Sequence, residues 1–205
     1  MIIEINPHNI DKRLIEQAVS VLKNDGVIIY PTDSVYAIGC RLKSKKGLEK
    51  LAKLKDIKLN KANFALIFND LSMLSDYVKQ FDRATFKLLN RSLPGPFTFI
   101  LEANSIIPKL FDSKKKEVGI RIPDNKIVNE IINLLGEPIA TTSLHDEEDE
   151  LLEYFTDPYE IYQRYDEKVD LIIDGGIGQL YASTVVSCID GEIEIIRQGI
   201  GELEL

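Results

Sequence analysis

The chain has 205 residues, 44% of them apolar, and a mean hydropathy of −0.07, which suits a soluble globular chain with one sizeable core and excludes a disordered one. No apolar run approaches a membrane span and the N-terminus MIIEINPHN lacks a signal-peptide layout, so the expected location is the cytoplasm, with no membrane partner. The net charge of −8 disfavours a general nucleic-acid coat, and two cysteines with two histidines make neither a disulfide framework nor a His-rich metal site.

Met1 to Ile5 reads as a short strand. A helix is predicted over 10–24, with Leu14, Ala18, Val21 and Leu22 as its apolar stripe and Asn24-Asp25-Gly26 as its stop. Val27 to Tyr30 is a continuous, mostly β-branched run, which predicts a buried strand ended by Pro31. Thr32, Asp33, Ser34 and Tyr36 follow at once. Polar side chains at a strand exit are where open α/β sheets place ligands; a hydroxyl-rich turn is the plain alternative.

Residues 41–61 carry nine Lys/Arg against Glu49 and Asp56, a net +7 that leaves −15 for the rest of the chain. Such a segment in an acidic protein suggests an anion site, or else a solvated helix face. Within it a helix is predicted over 46–55, with Leu48, Leu51 and Ala52 on one face and Lys55 on that same face. An inward lysine wants a partner; a helix-terminal lysine favoured by the macrodipole is the other reading.

Phe64 to Phe68 is the next predicted strand, and Asp70 caps a short helix containing Leu71, Leu74 and Tyr77. A helix over 83–91 leads to the reversal Leu93-Pro94-Gly95-Pro96 and the strand Phe97 to Leu101. Val118, Ile120 and Ile122 alternate with Gly119 and Arg121, which points Arg121 off the core face. Asp124 caps a helix through Leu135 that Gly136 ends, and the strand Pro138 to Ala140 runs into Thr141-Thr142-Ser143. Asp146 to Glu150 is an acidic stretch, a solvated loop or a lid. Asp157-Pro158-Tyr159-Glu160 opens a helix to about Tyr165. Strands Val169 to Ile173, Val185 to Ile189 and Ile193 to Ile196 complete the chain, the last two joined by an Asp190-Gly191 hairpin turn. Cys40 and Cys188 lie in apolar runs and read as packed thiols. The order predicts one α/β domain over 1–205 with a mixed sheet.

Hydroxyl clusters (Thr32/Ser34, Thr141/Thr142/Ser143, Ser183/Thr184) with the cations Lys55, Arg121 and Arg197 suit phosphate better than acyl transfer, which wants a Ser-His pair. No Walker or G-x-G-x-x-G motif is present. The residues alone therefore describe an anion- or nucleotide-binding α/β domain.

A resemblance goes further. Gly26-VIIYPTDSVYAIGC resembles the G-x-x-x-x-P-T-[DE]-[ST]-x-[YF]-G-[LI]-G signature of the YrdC/TsaC-like threonylcarbamoyl-AMP synthase family. Leu93-PGPFTFI, Val118-GIRIPDN, Ala140-TTS, Ser183-TVV and Arg197-QG resemble further family segments and run in family order. Alanine after Tyr36 is most similar to the YciO-like branch. The resemblance implies a twisted mixed β-sheet with flanking helices around one deep cleft. It also implies a nucleotidyltransferase that converts L-threonine, bicarbonate and ATP to threonylcarbamoyl-AMP and pyrophosphate. Mg²⁺ would be carried on the phosphates, with no metal held by the protein alone. The product would feed tRNA modification, with modification proteins as partners; RNA binding, linked to some family members, is disfavoured here by charge. Carried over by position, Lys55, Ser143 and His145 are the catalytic candidates. Thr32, Ser34, Tyr36 and Arg121 would meet threonine, and Lys58, Thr142, Ser143, Ser183, Thr184 and Arg197 the nucleotide.

The chain departs from the family at two places. K-x-R reads Lys55-Asp56-Ile57, and S-x-N reads Ser143-Leu144-His145. Neutral histidine offers a donor and an acceptor as asparagine does; isoleucine offers neither and removes a two-point guanidinium clamp. A different register would make Lys58 the second cation. Two functions follow: a weak or altered synthase, or a nucleotide- or double-stranded-RNA-binding relative without this chemistry.

Overall fold

The computed structural model describes residues 1–144 and 154–203. Its elements begin with β1 (Ile2–Glu4), α1 (Lys12–Lys23), β2 (Val27–Tyr30), β3 (Ala37–Arg41), α2 (Lys45–Leu54) and β4 (Ala65–Ile67). They continue with α3 (Arg83–Ser92), β5 (Phe97–Glu102), α4 (Ile106–Leu110), β6 (Glu117–Arg121), α5 (Lys126–Leu135) and β7 (Ile139–Ser143). The chain closes with α6 (Pro158–Tyr165), β8 (Leu171–Asp174), β9 (Thr184–Ile189) and β10 (Glu192–Arg197). Single 3-10 turns lie at Leu59–Lys61 and Ser72–Asp76.

The strands form one mixed ten-stranded sheet, β1-β8-β2-β3-β7-β4-β6-β5-β9-β10. β2 lies inside it, parallel to β8 and antiparallel to β3, and all four of its side chains are buried. That is the outcome a continuous apolar run dictates, because both faces must be covered. On one face α1 and α5 pack Ile15, Leu22, Ile127 and Ile131 against Ile28, Tyr30 and Ile139. On the other, α2, α3, α4 and α6 contribute Leu48, Leu89, Ile107 and Ile161 to a larger cluster with Ile29, Phe99 and Val186. Both cysteines are buried in that cluster, and burial raises the Cys40 thiol to about 12 and the Cys188 thiol to about 11, so they are packed rather than reactive.

Several local readings change. Asp11 caps α1, accepting from the Arg13 N–H, so the helix starts at Lys12. Its buried residues are Ile15, Ala18, Val19 and Leu22, while Leu14 and Val21 are half-buried, because α1 leans on α5 as well as on the sheet. Asn125, not Asp124, caps α5, accepting from the Ile127 and Val128 N–H groups. Gly136 ends that helix at φ +74°, a left-handed conformation suited to glycine. The strand predicted over Pro138 to Ala140 runs on through Ser143, so the second hydroxyl cluster is inside a strand rather than beyond it. β3 and α4 lie where no element was predicted. His145 and the acidic stretch 146–150 lie outside the described residues.

Ile29 is fully buried between strands. Ile29→Ala should cost about 2–5 kcal/mol in denaturant unfolding, from lost transfer energy plus a cavity. A loss under about 1 kcal/mol would mean that the centre of the sheet is not closely packed.

Candidate functional site

Helix coverage is uneven. The cluster under α1 and α5 reaches from the β1 side only as far as Ile67 on β4. On β6, β5 and β9 the same face carries no described helix. The burial there alternates buried and half-buried along β5 and β9, as one-sided packing requires. Near the β2–β3 loop the half-buried side carries Ala65, Thr98, Gly119 and Val185; farther along the strands Ser187 is joined by the larger Ile100 and Ile189. A Cβ on Gly119 would lie 3.1 Å from Thr98 and 3.4 Å from Ala65, so the short side chains of these three residues are closely set, with Ile100 beside them on the same face.

The loop between β2 and β3 stands at the border of this face. Thr32 Oγ1 donates to the Val35 carbonyl at 2.7 Å and accepts from the Ser34 N–H at 3.1 Å, so its hydroxyl shapes the loop. Arg121, at the end of β6, reaches across and donates through one nitrogen to Asp33 Oδ1 and to Ser34 Oγ, both at 2.9 Å. The other Asp33 oxygen accepts from the Asp124 N–H at 2.8 Å. Arg121 and Asp33 expose only 7% and 8% of their side chains. Arg121 therefore leaves the packed core yet is buried, against the expectation from alternation alone, because Asp33 and Ser34 cover it. Burial raises the Asp33 carboxyl above the usual range, with Arg121 and the Asp124 N–H pulling it back. Burial weakens proton binding at Arg121, Asp33 opposes that, and Arg197 repels the guanidinium from the same region.

Arg197 pairs with Val185 across the β9–β10 ladder and so shares the open face. Its guanidinium donates to the Ser183 carbonyl at 2.8 Å, and the Ser183 and Thr98 hydroxyls meet at 2.8 Å. Ser143 lies on the face of Thr141, whose hydroxyl accepts a hydrogen bond from the Tyr30 phenol at 2.7 Å. Ser34, Arg121, Ser143, Ser183 and Arg197 are thus brought to one side of the sheet.

Thr142 and Thr184 are not: strand alternation turns them to the opposite face. Thr184 Oγ1 is fully engaged, donating to the Gly201 carbonyl and accepting from the Gly199 N–H at 2.9 Å. Tyr36 is also structural in its contacts. Its phenol donates to the Gly176 carbonyl at 2.7 Å and accepts from the Gly175 N–H at 3.1 Å. A Cβ on Gly178 would sit 2.8 Å from its ring, so the loop after β8 closes directly over Tyr36.

Lys55 is the half-buried C-cap of α2. The reversal at Leu42–Ser44 sends α2 back along β3, toward the end from which Tyr36 enters. Asp56 follows at φ +47°, and the Ile57 N–H bonds to the Ala52 carbonyl at 3.0 Å, a Schellman stop. Ile57 and Lys58 lie beyond it, exposed beside Glu49, Lys53 and Asp56 in a surface depression. Sequence reading missed the pairing of Asp33 with Arg121 and the part of Thr98; the alternation of Phe97, Phe99 and Leu101 around Thr98 was the available signal.

The profile of the Sua5/YciO/YrdC family, described as "telomere recombination", matches residues 20–199. The "uncharacterized protein YciO" of Escherichia coli K12 is 38% identical over 98% of this chain and 96% of its own length. Its crystal structure superposes with a TM-score of 0.89 over 100% of this chain and 98% of that one. A threonylcarbamoyl-AMP synthase of Buchnera aphidicola is 31% identical over 63% of this chain and 70% of its own. P. abyssi Sua5, crystallised with L-threonine, shares the fold at 22% identity and a TM-score of 0.87, covering 97% of this chain and 57% of that one.

Removing the Tyr36 hydroxyl separates support from ligand contact. Tyr36→Phe should lower stability by about 1–2 kcal/mol, for two hydrogen bonds lost in the interior, and speed amide exchange at Gly175. Unchanged stability and exchange would mean that the phenol does not anchor the loop.

Proposed function

The chain belongs to the Sua5/YciO/YrdC family, and from that premise we propose that it is a threonylcarbamoyl-AMP synthase-like nucleotidyltransferase. The observation that carries the reading is the gathering of Ser34, Arg121, Ser183 and Arg197 on one side of the sheet, in a fold shared with a protein crystallised with L-threonine. Cations and hydroxyls gathered on one face fit a nucleotide, and hydroxyls with a buried guanidinium fit an amino-acid carboxylate.

In this reading the threonine amine adds to the carbon of bicarbonate, with loss of water, to give a carbamate. A carbamate oxygen attacks the α-phosphorus of ATP, the bond to the β-phosphate bridge breaks, and pyrophosphate leaves. Arg121 and Ser34 hold the threonine end, with Thr32 and Tyr36 shaping the loop that carries them. Ser143, Ser183 and Arg197 line the nucleotide side, and Lys55 approaches from the end of α2. The protein's part is positioning and charge stabilisation rather than covalent catalysis. Among the described residues no group of His, Cys, Asp and Glu could hold a metal ion, and these donors fit Mg²⁺ carried on phosphate, which needs few protein ligands. No described helix is long and apolar enough to cross a membrane. A cytoplasmic place and delivery of the product to tRNA-modification proteins go with this reading.

A second reading, a nucleotide- or RNA-binding relative without turnover, is favoured by one observation. Ile57 stands where the family pattern has arginine, just past the helix stop. The deciding assay is pyrophosphate release from ATP that depends on both threonine and bicarbonate. Release without threonine dependence overturns the synthase; tight ATP binding with no turnover supports the second reading. Installing the family residues, Ile57→Arg with His145→Asn, should raise turnover roughly tenfold or more, since one preorganised contact is worth about a hundredfold. A flat response in a protein that binds ATP and threonine would mean that the chemistry is different.

A further inference from the structure

Arg121 is the most buried cation of the candidate site, and its charge is already answered. Asp33 lies 2.9 Å away with both side chains more than nine-tenths buried, so the pair interacts with little solvent screening. The Asp33 carboxylate is fixed from two sides, by the guanidinium at one oxygen and by the Asp124 N–H at the other. It cannot swing into water without breaking the second bond. Meanwhile Arg121 Nε is buried and has no acceptor among the described residues. Such an orphan donor in a buried guanidinium is a place where an incoming oxyanion gains a hydrogen bond.

An oxyanion that takes it would stand beside a fixed carboxylate in a poorly hydrated place. Two negative charges would then share one guanidinium. The other charged and titratable groups around the pair do not relieve this. Asp124 adds negative charge close to Asp33. Arg197 repels Arg121, and as an exposed residue that also holds the Ser183 carbonyl its charge is screened by solvent. Burial pushes the Tyr30 phenol well above its ordinary range, so it stays neutral. The least costly relief is a proton from solvent on Asp33, which burial already holds above the usual carboxylate range.

We propose that Asp33 is the internal counter-ion of the site: an oxyanion that binds at Arg121 is taken up together with one proton, which goes to Asp33. This rests on the reading of Arg121 as an anion contact. Asp33 is then a positioning residue in the empty site, aiming the guanidinium, and a proton acceptor in the filled one. Anionic ligands are penalised as pH rises, while a ligand that brings its own positive charge to Asp33 escapes the penalty. The pair thereby discriminates simple anions from zwitterions.

The test uses inorganic sulfate, which does not change charge between pH about 5 and about 8, on the full chain. Affinity is read from sulfate-dependent stabilisation across that range, and proton uptake from calorimetry in buffers of different ionisation heat. Wild-type protein should bind sulfate about tenfold more weakly for each pH unit above the Asp33 titration, with one proton taken up per sulfate. Asp33→Asn keeps the size and an acceptor for the Asp124 N–H but removes the charge. It should bind sulfate at least about tenfold more tightly at pH about 8, with no pH slope. Arg121→Gln should abolish the slope. A pH-independent affinity in the wild type, absence of proton uptake, absence of sulfate binding, or an unchanged slope in Asp33→Asn each overturns the proposal. Should Asp33→Asn fail to fold, the wild-type calorimetry decides alone. Pyrophosphate release is scored separately: proton-coupled sulfate binding without release retains the counter-ion and rejects the synthase, and the reverse result does the opposite.

Discussion

A sheet of ten strands needs more apolar cover than six short helices supply on both faces. α1 and α5 close one face over the half from β1 to β4, and the remaining helices line the other face. Among the described residues no helix covers one face of β6, β5 and β9, and Thr98, Gly119 and Ser187 tolerate that exposure while Val185, Ile100 and Ile189 are only half-buried there. The site is therefore a by-product of incomplete coverage that the sequence accommodates. Sheet twist then brings the β2–β3 loop to the border, where Arg121 fastens it.

That fastening is a buried ion pair, and such pairs rarely pay their desolvation cost. Removing one partner, however, leaves an uncompensated charge that costs about 3–5 kcal/mol. The pair thus holds the loop in one geometry without adding much net stability. It joins positions 88 residues apart, and the Asp124 N–H extends the link to the start of α5. Tyr36 plays a parallel part across 140 residues, fixing the loop after β8. Both links act on backbone that carries the candidate site, so local rigidity there comes from a few long-range polar contacts.

How much of this was legible follows from the range of each signal. β2 was legible because a short apolar run rich in β-branched residues and bounded by Gly26 and Pro31 favours a buried strand. β3 was not, because AIGCR holds alanine and glycine and lacks a period-two pattern; pairing with β2 and β7 makes it a strand. Thr141 to Ser143 looked like a strand exit because hydroxyls lack apolar signal, yet the ladder with β3 continues through them. Alternation assigned Arg121 to the correct side of β6 but could not reveal that Asp33 and Ser34 would bury it. Motif order carried the family, while the opposed faces of Thr142 and Thr184 became visible only with the strands in place.

The helix stop after α2 bears on how charge reached its present balance. Its geometry is set by backbone groups: Asp56 in a left-handed conformation, with the Asp56 and Ile57 N–H groups closing on Lys53 and Ala52. None of that depends on the Ile57 side chain, which is 40% exposed. Charge at this position is therefore separable from folding and free to change without loss of the helix. Ile57 places no charge there, while Lys58 beside it does. Arg121, its most buried cation, is meanwhile offset by Asp33. Both bear on local charge, and they act at different places for different reasons. The first is a substitution that leaves the scaffold intact; the second is part of the scaffold itself. A guanidinium answered by its own carboxylate offers an anion less attraction than a free one, so in the proposed site discrimination would rest on hydroxyl placement and on whether the ligand satisfies Asp33 as well as Arg121.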